Sequence, residues 1–189
     1  MTLAPEHVPP DGDCLFHAVF RILKDVPSLS GVYTSPHQLR ERVALAALTS
    51  PRADSFLRGW VELHRQAKAH KEPDMLMETM HVEHVYEDLT VADKYVAAAA
   101  MLDKYKYWGE EFALLTLEEC LGVRFLVLDP ITKHLIAREH GNTNARHVGI
   151  LQLSNVHYEP MVEKETKRAA WTPDLIPALI EQFQSSSES

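Results

Sequence analysis

Asp11-Gly12-Asp13-Cys14-Leu15-Phe16-His17 is the stretch from which the fold is read. A glycine turn delivers a cysteine to the first turn of a helix, because Leu15, Ala18, Val19, Ile22 and Leu23 recur behind it at helical spacing. A sulfur placed there meets the unpaired N–H groups and the positive dipole end of the helix, and both favour thiolate over thiol. The same N–H groups can hold an oxyanion, so one turn can supply the attacking atom and the anion site together. Gly12 lets the backbone come close to a substrate carbonyl. A cysteine at a helix start is also a common small buried hydrophobe, and only a partner base separates the two readings.

The chain around this stretch is ordinary in composition. Its 189 residues suffice for one domain with a sizeable core, and an apolar share of 46% with a charged share of 24% is that of a globular protein. No apolar run approaches the ~20 residues of a membrane span. Met1 to Pro10 lacks a basic segment followed by an apolar one, so no secretory signal is expected. Cys14 and Cys120 are far apart and make no disulfide framework, which points to a reducing, cytoplasmic compartment. A net charge of −8 argues against a nucleic-acid binder and suits a basic protein partner. A monomer is the default expectation.

Helices dominate the first two thirds. After a proline-bearing extended lead-in (1–10), they are expected at 14–24, from Ser35-Pro36-His37-Gln38 to about Leu48, and over 53–69. Others are expected in the Met-rich stretch to about Glu87, from Thr90 to about Lys104, and over 110–121 with Gly122 ending the last. Strands follow at 123–128, 134–138, 148–153 and 156–162. Helices first and strands later argue for an α+β domain, over residues 5–163. Residues 164–189 read as a charged, Ser-rich extension with one short helix to about Phe183, then disorder.

Eleven histidines are available as a base for Cys14. His64, His70, His81 and His84 fall in helical segments. His81 and His84 lie at i,i+3 spacing but lack the Cys or carboxylate company of a metal site, so no metal is expected. His134, His140 and His147 have no distinguishing context. His157 follows Ser154-Asn155 and opens the last strand, where residues two apart share a face. Asn155 or Glu159 could then fix the tautomer of His157 and free its other nitrogen for the thiol. An edge-strand histidine beside a solvated glutamate has the same spacing, and both readings stand.

Asp11-Gly12-Asp13-Cys14-Leu15-Phe16 resembles the nucleophile motif of the ovarian-tumour (OTU) family of cysteine deubiquitinases. Tyr107-Trp108-Gly109-Glu110-Glu111 resembles that family's middle Trp-Gly motif, and Asn155-Val156-His157-Tyr158 its C-terminal His-Tyr motif. The three stand in family order over residues 11–158. The resemblance implies a papain-like fold, a central, mostly antiparallel sheet flanked by helices. It also implies hydrolysis of the isopeptide bond after the C-terminal Gly of ubiquitin, with no metal or organic cofactor. Cys14 would be the nucleophile, His157 the base and then the acid, and backbone N–H groups around Asp11, Gly12 and Cys14 the oxyanion hole. Asp11 matches a family Asp often counted among active-site residues.

One position departs from the pattern. The residue two after the histidine is commonly Asp or Asn in the family, and here it is Glu159, leaving Glu159, Asn155 and Asp11 as candidates for the third member. A resting thiolate–imidazolium pair of Cys14 with His157 is expected. His17 is read as a helix residue near the cleft, and Cys120 as core. Trp108 buttresses a helix, and Trp60 with the Met75/Met77/Met80 cluster belongs to a ubiquitin-binding arm or to the core. Trp108, Gly109, Glu110 and Glu111 are candidate substrate contacts, the two acids facing the Arg-bearing tail of ubiquitin. The implied partners are ubiquitin, polyubiquitin and ubiquitinated proteins, in host cytosol if the chain is viral or a bacterial effector. The alternatives are a same-fold protease for a ubiquitin-like modifier or a polyprotein, and a catalytically silent ubiquitin-binding module.

Overall fold

The computed structural model describes residues 2–60 and 89–185. Helix α1 (Cys14–Leu23) lies where its apolar spacing puts it and buries seven residues, Cys14 among them. Helix α2 (Pro36–Thr49) begins with the expected proline, but Ser35 makes no side-chain cap; Gln38 reaches one residue further back and accepts from the Thr34 N–H at 2.7 Å. Residues 53–60 are helical (α3). The rest of that expected helix, the Met-rich helix and His64, His70, His81 and His84 lie outside the described residues. Helix α4 (Val91–Met101) carries a complete capping box between Thr90 and Asp93. Helix α5 (Glu111–Leu121) ends at Gly122, which takes a left-handed φ of 64°. Cys120, expected in the core, is exposed. It lies beside the exposed Glu119, on the outward side of α5.

The strands are β1 (Leu3–Pro5), β2 (Val123–Leu128), β3 (His147–Ser154), β4 (His157–Glu163) and β5 (Ala170–Trp171). They form one mostly antiparallel sheet in the order β1-β4-β3-β2, with β5 pairing β3 beyond the end of β4; only β2 and β3 run parallel. The architecture is α+β, as expected. Residues 134–138 are not a strand. Their backbone meets β2 in one bridge, Leu128 to Leu135, after Asp129 turns the chain with its own side chain on the Ile131 and Thr132 N–H groups, and Arg138 Nη1 donates to the Phe125 carbonyl at 2.8 Å.

Both faces of the sheet are covered, which explains why β2 reads as a continuous apolar run. Val123, Phe125 and Val127 face the large core built with α1, α2 and α5. Leu126 and Leu128 face a second core containing Leu3, Trp171, Ile176, Leu179 and Phe183. The second core moves the domain boundary. Residues 164–185 are not an appendage: β5 is a sheet strand, and helix α6 (Ile176–Ser185) seals the far face with Leu179 fully buried. At the other end β1 pairs Leu3 with Glu163, so the lead-in is part of the sheet. The disorder expected at the Ser-rich end falls on residues 186–189, outside those described.

Candidate active site

The loop before α1 is pinned from beneath by a residue the sequence reading passed over. Arg40 on α2 is fully buried. It donates to Asp13 Oδ1 at 2.7 Å, to the Gly12 carbonyl at 2.7 Å and to the Tyr107 carbonyl at 2.8 Å, and it also reaches the Met101 carbonyl. Its guanidinium lies 4.5 Å from the centre of the Phe16 ring. Such a charge is tolerable in the core only because nearly every donor is used. The sequence did carry a signal. Arg40 falls on the buried stripe of α2 with Val43, Ala44 and Ala47, where a charge needs a reason.

At Gly12 the loop meets its own chain: a Cβ there would lie 1.6 Å from the Lys104 carbonyl oxygen and 2.8 Å from Trp108 Cδ1, so only glycine fits. Gly109, at φ 80°, is likewise pressed on α1, where a Cβ would lie 2.6 Å from Leu15 Cδ2. The Trp-Gly segment is therefore the back wall of the cysteine loop. Its two acids also make internal contacts: Glu110 Oε1 accepts the Tyr107 hydroxyl at 3.1 Å, and Glu111 Oε2 accepts from Arg138 Nε at 2.9 Å.

Cys14 is buried, and its sulfur lies against the start of β4. Sγ is 3.9 Å from the Val156 carbonyl, and the N–H groups of Leu15 and Tyr158 point at it, so both neighbours of His157 touch the sulfur through their backbones. Burial pushes the Cys14 thiol up, and the charges of Asp11 and Asp13 push the same way; the two N–H groups oppose this without overcoming it. Among the described residues no hydrogen bond joins the thiol to the His157 imidazole. The expected thiolate–imidazolium pair is thus not the resting state of this conformation. The Cys14 N–H, expected in an oxyanion hole, donates to the Asp11 carbonyl at 3.0 Å.

Asp11 turns away from the imidazole. Its Oδ1 accepts the Asp13 N–H at 3.0 Å and its Oδ2 the Lys104 ammonium at 3.2 Å; burial pulls its carboxyl up, but these partners outweigh it and hold it below the ordinary range. His17 Nε2 is 3.9 Å from Asp11 Oδ1. Asn155 is not on the strand face either. It sits in the two-residue turn between β3 and β4 with a left-handed φ of 55°, the conformation asparagine tolerates best among residues with a side chain. Glu159 remains, on the same face of β4 as His157, with Oε1 3.6 Å from His157 Nε2. A residue absent from the sequence reading joins them: His7 Nδ1 is 3.3 Å from the same Glu159 oxygen. It is brought there because the Glu6 N–H bonds the Pro160 carbonyl at 2.9 Å, laying the lead-in beside β4.

Beyond the site, Glu118 is a fully buried carboxylate that accepts from the Phe125 N–H at 2.8 Å and Arg138 Nη1 at 2.8 Å. It also takes the Gly141 N–H at 2.6 Å and contacts His140 Nδ1 at 3.0 Å, so it pins the segment between β2 and β3 against α5.

No family model matches the sequence, and no curated protein matches it. The fold does have solved counterparts, and it is that of OTU domains. A structure of an ovarian-tumour (OTU) domain in complex with ubiquitin superposes with a TM-score of 0.62 at 18% identity, covering 98% of this chain and 85% of that one. An OTU deubiquitinase from Wolbachia pipientis wMel gives 0.52 at 11% identity, covering 94% and 96%. An OTU deubiquitinase from Wolbachia pipientis wMel bound to ubiquitin gives 0.51 at 10% identity, covering 86% and 97%.

Proposed function

We propose that the chain is an OTU-type cysteine deubiquitinase that hydrolyses the isopeptide bond after the C-terminal Gly of ubiquitin. The observation that carries this reading is the placement of Cys14: the first residue of α1, with its sulfur against the backbone on both sides of His157. In the reaction the His157 imidazole takes the thiol proton as sulfur attacks the Gly carbonyl carbon. The C–N bond then breaks as the imidazolium returns that proton to the leaving Lys amine. A water, deprotonated by the same imidazole, hydrolyses the thioester and restores the thiol. Glu159 orients the imidazole through Nε2, which leaves Nδ1 for the sulfur. The raised thiol pKa and the unjoined imidazole mean that substrate binding must bring His157 onto Sγ. The Cys14 N–H must also leave the Asp11 carbonyl before it can hold an oxyanion.

A ubiquitin propargylamide probe, read by intact mass on wild type, Cys14→Ala and His157→Ala, tests this. Labelling of wild type alone is expected. Binding of ubiquitin without labelling would favour a silent ubiquitin-binding module. Failure to engage ubiquitin at all would favour a same-fold protease for another modifier.

A further inference from the structure

The charged groups around the site differ in whether they are already spent. Asp11, Asp13 and His17 form a cluster near the nucleophile, but Arg40 and Lys104 neutralise its carboxylates. His7, His157 and Glu159 form a second cluster, which holds a single carboxylate. His157 Nε2 is buried with no hydrogen-bond partner. One donor atom from each of the three lies within 4.8 Å of the others.

We propose that His7, His157 and Glu159 are a three-ligand site for a zinc ion, which holds the imidazole away from Cys14. Two imidazole nitrogens and one carboxylate oxygen are a donor set that zinc takes readily, with a fourth position left for water. Geometry favours a tetrahedral ion. With metal–ligand distances of ~2.1 Å, the edge between two donors is ~3.4 Å. The edge from His7 Nδ1 to Glu159 Oε1 is 3.3 Å and that from His157 Nε2 to the same oxygen is 3.6 Å, so two edges are already set. The third edge lies within 4.8 Å, and His7, whose side chain is 76% exposed and follows a short loop from β1, can adjust it. The exposed side of His7 also gives the ion its way in. Bound there, zinc would take the carboxylate that orients His157 and fix the ring on Nε2. The metal site stands on its own geometry; its inhibitory effect rests on the proposed function.

Calorimetric titration of wild type, His7→Ala, Glu159→Gln and Cys14→Ala with zinc chloride, without substrate, tests the site. One ion per chain is expected in wild type and Cys14→Ala, with at least tenfold weaker binding in His7→Ala and in Glu159→Gln. Cobalt(II) in wild type should give visible d–d bands without a thiolate charge-transfer band. Equal zinc affinity in His7→Ala, loss in Cys14→Ala, or a thiolate band would overturn the site. The probe assay on wild type with and without zinc then reads the consequence. Zinc-bound protein should label at least tenfold more slowly, and an unchanged rate would overturn the inhibition. Protein that binds zinc as expected but is never labelled would count against the deubiquitinase reading and leave the metal site standing.

Discussion

Around Cys14 the chain is clamped, with Arg40 holding the Asp13 side chain and the carbonyls of Gly12 and Tyr107, and Gly12 pressed onto Lys104. Around His157 it is loose: its buried Nε2 approaches Glu159 only to 3.6 Å, without a hydrogen-bond partner, and an exposed His7 shares the same carboxylate. The Cys14 loop is placed by buried bonds that cost several kcal/mol to break, whereas the His157 imidazole is placed by contacts that solvent and ligands can rearrange. A site built this way keeps its sulfur fixed and leaves its activation to whatever aligns the imidazole.

Breaking the clamp should give the largest effect. Arg40→Ala leaves Asp13 and three carbonyls without their buried donor, and a loss of about 3–5 kcal/mol is expected in denaturant unfolding. A loss below about 1 kcal/mol, the scale of an exposed pair, would mean that the loop holds itself. On the loose side, Glu159→Ala should leave stability nearly unchanged while lowering kcat/KM on a ubiquitin substrate by about 10²-fold. An unchanged rate would return the orienting role to another group.

Asn155 sharpens the same side. Asn155→Ala should cost about 1 kcal/mol, because a Cβ without a polar side chain is disfavoured in the left-handed region. Asn155→Gly should be tolerated in stability and in rate. A rate loss in the glycine variant would make Asn155 more than a turn residue.

The smallest effect concerns the thiol itself. Its raised pKa means that it is protonated at neutral pH, so thiolate accumulates only as pH rises past the ordinary thiol range. Alkylation of Cys14 by iodoacetamide should therefore climb about tenfold per pH unit from neutrality upward. A plateau already reached at neutral pH would mean that the imidazole is aligned at rest. Asp11 has the opposite sign. Its carboxyl is held down in the fold, so its contribution to stability is present above the unfolded carboxylate pKa and is lost as pH falls through the folded one. The acid limb of the unfolding curve should shift in Asp11→Asn.

The apolar spacing of α1, the Thr90 capping box, Gly122 and the continuous run of β2 were legible because each is a local pattern with a local cause. So was the pairing of a helix-start cysteine with a strand-opening histidine, through its resemblance to a known family. Asn155 shows the limit. Period-two spacing put it on the face of His157, but one residue earlier the chain had to turn, and a turn has no faces. The tail shows another limit. Residues 170–183 look like an extension because their partners, Val148, Ile150 and Leu3, lie far away in sequence.

The sequence by itself determined that a helix opens on Cys14 and which face of that helix is buried, since helix periodicity and a glycine turn act over a few residues. Only the tertiary structure decided what Gly12 touches, that Arg40 and not a local cap holds the loop, and that His7 comes to Glu159 across 152 positions. Those contacts form between segments distant in the chain, where burial and hydrogen-bond satisfaction choose the partner and no spacing rule reports it.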